Sequence, residues 1–324
     1  MQQLSNLDLF FLIPELKKFE GIFLGNVYGR EGVFKLKFRS SSLIINPKNA
    51  IYVSNHVFES EEPRGFVRIL RDELSNQKLI EVSQINLDRV CNFKFSNSTL
   101  IIELATSNII LMDGDTIKAC LKESERIKKG GNYSPLKVKK NPLEVEAADF
   151  EKLKGNVVAA TSKVINLSAF YLEEACVRAD VSGDISSLSN KEREKLALAI
   201  KSVFEIKEPR VYYEDGAPKF FSSIPLKKLS LEFKSFENLN DALDEYYSNQ
   251  VKVNEKLLKL KFKLEQQKKA LEEFKQKAKE NREKGEAIYS KYSFIEGILK
   301  NPEEAIKEGK AKLITKGREI SIEV

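Results

Sequence analysis

The sequence is poor in the residues that most often carry metal or covalent chemistry. Its 324 residues include one histidine, His56, and three cysteines, Cys91, Cys120 and Cys176. The cysteines are scattered and not spaced as metal-binding pairs, which weighs against a zinc site, and a lone histidine weighs against a Ser-His-Asp triad. Three reduced, buried thiols are the plainer expectation. Long apolar runs are missing too. Nothing approaches the ~18 consecutive apolar residues of a membrane span, and the opening MQQLSNLDLF has no basic segment followed by an apolar signal core. A cytoplasmic chain with no membrane partner is expected.

What is present is a composition 42% hydrophobic and 31% charged, enough apolar material for about two domains and something elongated. The net charge is +6. Residues 252–300 hold fourteen Lys and Arg against eight Glu, an excess equal to that of the whole chain. A second basic stretch, RIKKGGNYSPLKVKKNP, carries Arg126, Lys128, Lys129, Lys137, Lys139 and Lys140 with no acid between them. Segments of this kind favour a polyanion, nucleic acid being the commonest, although a solvated charged face accounts for either segment alone.

Along the chain, NLDLFFLIPELKKF reads as a helix over 6–19, with Asp8 in its first turn and a break near Pro14. From residue 22 to 113 eight short alternating runs closed by Gly, Asn and Asp predict an antiparallel sheet or sandwich, interrupted by one helix, EPRGFVRILRDELSN. The Gly-Gly and Pro-bearing stretch that follows reads as a linker. Short helices at 146–154, 157–162, SAFYLEEACVRADV and SNKEREKLALAIKSVFEI suit either a helix-hairpin-helix module or a plain bundle. A hairpin follows, turning at Asp215-Gly216. From Leu257 to Leu299 apolar residues alternate at spacings of three and four, an a/d seam of six heptads with Gln267 and Asn281 at d positions. Such a seam requires a covering helix. The end, AKLITKGREISIEV, alternates as a small hairpin around Lys316-Gly317.

One stretch stands out. In QINLDRVCNF, Asp88 and Arg89 are adjacent within a run whose neighbours Ile85, Leu87, Val90, Phe93 and Phe95 suit a half-buried strand. Burying charge without a partner is expensive, so the two are either a solvated edge or displayed to hold something.

These pieces, in order, resemble the NFACT family of ribosome-associated quality-control proteins, which includes the fibronectin-binding protein A homologues. NLDLFFLIPEL resembles the family's first helix, and GNVYG its next strand, where the family usually has Gln in place of Gly29. The family's Pro-x-x-Phe, Leu-Arg, Gln and Asp-Arg series is carried by Pro63, Phe66, Leu70, Arg71, Gln84, Asp88 and Arg89. KKGGNYSPLKVKKNPLE, FENLNDALDEYYSN and KGEAIYSKYSFIEGIL are similar to its linker and coil segments. The sequence departs at the helix-hairpin turn, where Ser168 and Ala169 replace glycines.

The resemblance implies an α+β chain. Its parts are an Fpg-like antiparallel β N-terminal domain over 1–125, a basic linker over 126–145 and a helix-hairpin-helix-type domain with a hairpin over 146–247. A coiled-coil helix over 248–300 and a terminal helix and hairpin over 301–324 complete it. It also implies a binding adaptor without catalysis or cofactor, which docks on obstructed large ribosomal subunits and recruits aminoacyl-tRNA, alanyl by family expectation, for template-independent tailing of stalled chains. Asp8, Asp88 and Arg89 are the expected tRNA-binding residues, with Arg64, Arg68 and Arg71 contributing to a basic groove. Lys259, Lys263, Lys268, Lys269 and Lys275 of the coil are expected to meet ribosomal RNA. A second chain or further segment is expected to supply the returning coil helix and the NFACT-R domain, with a homodimer as the alternative. The competing function is a DNA glycosylase-like enzyme, but such enzymes use an N-terminal proline and acid and usually a zinc finger, where this chain has Met1-Gln2 and no Cys pairs. Adhesion to matrix proteins fits poorly with a chain lacking an export signal.

Overall fold

The eight alternating runs fold as strands, and a ninth joins them. In the computed structural model, which describes residues 2–56, 61–137, 139–314 and 319–322, they form two antiparallel meanders in chain order. The side chains of 250–259, 261, 313–314 and 319–320 lie outside that description. One sheet holds β1 (Asn26–Arg30), β2 (Val33–Lys37), β3 (Ser42–Asn46) and β4 (Ala50–Ser54). The other holds β5 (Leu79–Gln84), β6 (Val90–Phe95), β7 (Thr99–Glu103), β8 (Asn108–Asp113) and β9 (Thr116–Cys120), the strand that the alternation missed. Residues of both sheets share one apolar core with Leu7, Leu9, Leu12 and Leu16 of helix α1 (Asn6–Leu16). α1 passes through Pro14 and continues into a single 3-10 turn, Lys17–Phe19, instead of breaking at the proline. Helix α2 (Gly65–Leu74) packs on β1 so closely that a Cβ on Gly29 would stand 2.4 Å from a methyl of Val67, so this approach requires glycine.

The expected linker is partly folded onto the five-stranded sheet. Val90, Ile101, Ile110, Met112 and Ile117 alternate with the core-facing residues and therefore line the opposite face. Ile127 is fully buried against them. Beside it Arg126 pairs bidentately with the buried Glu103, which also accepts from the Tyr133 and Thr106 hydroxyls. The Gly-Gly pair thus turns a covering segment within one body.

Of the expected helices, 146–154 is reduced to a 3-10 turn, Ala147–Phe150. The others form α3 (Val157–Val164), α4 (Ala169–Ala179) and α5 (Asn190–Ser202), the last opened by a capping box between Ser189 and Glu192. β10 (Arg210–Glu214) and β11 (Ala217–Ser222) follow as a hairpin whose turn residues Asp215 and Gly216 both take positive φ, 52° and 74°. β12 (Glu232–Ser235) pairs with the other edge of β10. All these elements belong to a compact unit, Met1–Lys252.

Helix α6 runs over 52 residues, Leu239–Ser290, nine residues ahead of the expected start. Its first three turns carry Leu239, Ala242, Leu243, Tyr246 and Tyr247 at helical spacing, all buried in the first unit's core. Val253–Val324 form the second unit. The helix ends before Lys291, and α7 (Tyr292–Lys300) and α8 (Pro302–Lys307) then place Ile298 and Ala305 in a small core that Ala311, beyond α8, completes. The seam is therefore one helix only as far as Ser290. β13 (Lys312–Ile314) and β14 (Glu319–Ser321) pair antiparallel; the expected turn at Lys316-Gly317 lies outside the described residues. Among the described residues no helix is long and apolar enough to cross a membrane.

Candidate nucleic-acid interface

The site is built from the N-terminus of α1 upward. Ser5 caps the helix, and Asp8, three residues on, accepts from the Ser5 N–H and hydroxyl through Oδ2 at 2.8 and 2.7 Å. Its other oxygen accepts from the hydroxyls of Tyr171 on α4 and Ser223 just beyond β11, the latter at 2.6 Å. Asp8 is wholly buried. Burial pushes its carboxyl above the usual range, while the hydrogen bonds from Ser223, Tyr171 and Ser5 pull it back in part. Burial and the adjacent carboxylate likewise hold the Tyr171 hydroxyl well above its ordinary value. Asp8 therefore ties three elements together beneath the site, with both of its oxygens engaged by the protein's own donors.

Asp88 and Arg89 lie in the turn from β5 to β6, half-buried, not in a strand. The Arg89 main-chain N–H donates to Asp88 Oδ1 at 2.7 Å, and its guanidinium donates from Nη1 to Gln3 Oε1 at 3.0 Å. Both residues line an open cleft of about 1080 Å³ with Asp8 at its base. Its walls include Gln2 and Gln3, the α3–α4 turn from Asn166 to Ala169, and Phe170, Lys137, Lys139, Lys219 and Phe220. Gln2 is pinned there by its side-chain amide, which exchanges two hydrogen bonds with the main chain of Phe221, at 3.0 and 3.1 Å. The N-terminus of α4 opens on the cleft, and the Ser168 hydroxyl beside it is buried with no partner among the described residues. Ser168 itself is extended, with φ −64° and ψ 147°, a conformation that needs no glycine.

The structure thus brings Asp8, Asp88 and Arg89 to one cleft. It does not bring the α2 arginines there. Arg71 donates to the Val27 carbonyl at 2.9 Å and lies over the Tyr28 ring, Arg68 pairs with Asp72, and Arg64 pairs with Glu62. The cations that line the cleft with Arg89 are instead Lys137, Lys139 and Lys219, of which Lys139 donates to the Ser162 carbonyl and Lys219 pairs with Glu214. The first two belong to the basic stretch seen in the sequence; Lys219 carried no such signal. Lys263, Lys268, Lys269 and Lys275 are exposed on α6, the last within 3.0 Å of Glu272, and the Lys259 side chain lies outside the described residues. Among the described residues no group of three or more His, Cys, Asp or Glu is placed to hold a metal ion.

Residues 34–323 match the profile described as the NFACT N-terminal and middle domains. The chain belongs to the NFACT family. A curated NFACT relative, the archaeal Rqc2 homolog aRqcH of Methanocaldococcus jannaschii, is 26% identical over 360 residues, covering 96% of this chain and 53% of its own. The chain thus spans about half the length of that relative. Two solved structures share the fold. The fibrinogen binding protein from Staphylococcus aureus has a TM-score of 0.64 at 18% identity, covering 75% of this chain and 98% of its own. The N-terminal part of the fibronectin/fibrinogen-binding protein from Streptococcus suis has a TM-score of 0.61 at 20% identity, covering 76% and 99%. The expected antiparallel α+β architecture is therefore that of this NFACT chain and of both neighbours.

Proposed function

We propose that this NFACT protein binds tRNA in the cleft that holds Asp88 and Arg89, and works in ribosome quality control. In this reading it docks on obstructed large ribosomal subunits in the cytoplasm and recruits aminoacyl-tRNA for tailing of the stalled chain. Peptide transfer is left to the ribosome, so the protein is an adaptor and needs no cofactor.

The observation that carries the reading is the chemistry gathered around Arg89. A guanidinium makes bidentate contact with phosphate or a base edge, and the neighbouring Asp88 carboxylate can accept from a base amino group. Lys137 and Lys139 supply further positive charge, while the charge of Lys219 is offset by its pairing with Glu214. The α4 N-terminus, with main-chain N–H groups free of helical partners, favours an anion. Phe170 and Phe220, half-buried with ring centroids 6.3 Å apart, add aromatic lining of the kind that bases stack on, although the Lys228 ammonium already lies 4.0 Å from the Phe170 ring centre. The cleft is open to solvent, and the relation to an Rqc2 homolog supports the translational context.

The exposed lysines of α6 extend the reading to ribosomal RNA. The bare apolar seam beside them is taken to receive an antiparallel helix from a further segment or a second chain, which would also bring the NFACT-R domain.

The test is tRNA affinity by fluorescence anisotropy, with sequencing of the RNA that co-purifies with the tagged protein. Arg89→Ala is expected to weaken tRNA binding by roughly 10- to 100-fold, the range for losing a charge-assisted contact, with an unchanged melting curve. Wild-type affinity in that variant would remove the pair from the interface.

A further inference from the structure

The turn that presents Asp88 and Arg89 is closed by its own main chain, with the Ile85 carbonyl accepting from the Asp88 N–H at 2.9 Å and the Ile85 N–H donating to the Val90 carbonyl at 3.0 Å, but its conformation is a costly one for its sequence. Asn86 and Leu87 both take positive φ, 52° and 49°. Glycine and asparagine enter this region readily and leucine does not, yet QINLDR contains no glycine. What fastens the turn to the elements around the cleft is a set of three side-chain amides. The Leu87 carbonyl accepts from Asn6 Nδ2 at 3.1 Å and from Asn166 Nδ2 at 3.0 Å, which uses both of its lone pairs. The next carbonyl, that of Asp88, accepts from Gln84 Nε2 at 2.8 Å. The amides also interlock: Gln84 Nε2 donates to the Asn6 carbonyl at 2.9 Å, and Asn6 Nδ2 to the Asn166 carbonyl.

Asn6 comes from the first turn of α1, Gln84 from the end of β5 and Asn166 from the α3–α4 turn. Their targets are the two peptide carbonyls immediately before Arg89. The geometry points to Asn6, Gln84 and Asn166 as positioning residues, which fix the direction in which Asp88 and Arg89 enter the cleft by clamping the Leu87 and Asp88 carbonyls. Amide chemistry is needed because each position must donate to a carbonyl. A carboxylate of the same size turns an acceptor toward an acceptor. The inference rests on the RNA-binding reading of the cleft for its functional consequence, but the clamp itself is measurable without RNA.

The experiment compares Asn166→Asp, Arg89→Ala and their double variant in the full chain, with Gln84→Glu as an independent lesion in the same clamp. Amide hydrogen exchange over residues 85–90 and affinity for unfractionated tRNA are measured for each. Asn166→Asp is expected to accelerate exchange in the turn while leaving β7 and β8 protected, and to weaken tRNA binding about tenfold, the scale of one lost hydrogen bond. Gln84→Glu is expected to do the same. Because the amides act through Asp88 and Arg89, Asn166→Asp should weaken binding by less in the Arg89→Ala background than it does alone. Unchanged exchange in the turn for both clamp variants would overturn the proposal, as would losses that add fully to that of Arg89→Ala. If Arg89→Ala itself binds tRNA normally, the RNA reading fails, and the exchange arm alone decides. Acceleration confined to the turn then supports the clamp, and unchanged or molecule-wide exchange sinks it.

Discussion

In the first unit the carboxylates Asp8, Glu103 and Glu174 are each fully buried, and each meets several donors. Between residues 262 and 290, by contrast, no described residue is buried, and Leu264, Leu271 and Phe274 stand 52%, 53% and 69% exposed among the lysines. The two regions use the same residue types to opposite ends. A buried carboxylate is costly unless every lone pair is met, so such groups allow few alternative arrangements of the elements that meet them. On α6 the charges lie in water, where pairs such as Arg282–Glu286 at 3.1 Å contribute only about 0.2–0.5 kcal/mol each. The cleft is thus preformed, whereas the apolar stripe of the helix stands exposed to water among the described residues.

The strongest way to break this contrast is at Asp8. Asp8→Asn turns a donor toward hydroxyls that need an acceptor, and is expected to destabilise the first unit by about 3 kcal/mol, read by denaturant unfolding. Burial raises this carboxyl above its ordinary 3.8, so the folded protein keeps the proton to higher pH than the unfolded chain. The stability advantage of the native protein over Asp8→Asn should therefore decline as pH rises from about 4 through the folded value, and stay level above it. An advantage that grows over that range would contradict the burial cost.

A smaller effect is expected where packing alone is disturbed. Gly29→Gln, which restores the family's usual residue, must push Val67 and α2 away from β1 and should cost about 1–3 kcal/mol. No loss in melting temperature would mean that α2 is free to shift. On α6 the outcome should differ in kind. Leu271→Ser is expected to change the unfolding of the isolated chain by less than about 0.5 kcal/mol, as at other exposed sites, while impairing capture of a returning helix. A large loss of stability would show that the stripe is already covered in solution. The smallest effect is that of single lysines: neutralising Lys268 or Lys269 should lower the slope of log affinity against log salt by about 0.7–0.9 for each phosphate contact removed. An unaltered slope would leave those lysines as solvating groups.

Sequence patterning gave access to the sheets because period-2 alternation directly reports which face is buried, as in Phe34 and Leu36 of β2. It missed β9 because Thr116, Lys118 and Cys120 alternate weakly at a sheet edge. The cleft divides along similar lines. Asp8, Asp88 and Arg89 were recognisable through a motif, but Arg64, Arg68 and Arg71 were grouped with them by nearness in sequence, and the helix that bears them packs against β1 instead. Lys219 and Asn166 reach the cleft only through tertiary folding, from positions roughly 80 to 130 residues away along the chain, a distance no local pattern spans. The same is true of Tyr171 and Ser223, whose hydroxyls look unremarkable until Asp8 is found between them.

The pairing of the Gln2 side chain with the main chain of Phe221 bears on how the protein is handled at the bench. A tag or fusion joined ahead of Gln2 emerges beside the lip of the cleft, because Gln2 and Gln3 form part of its wall. Such an extension can crowd any ligand of the cleft or compete for Arg89, and an apparent defect in binding would then belong to the tag. Purification handles at this end are better cleaved before affinities are compared.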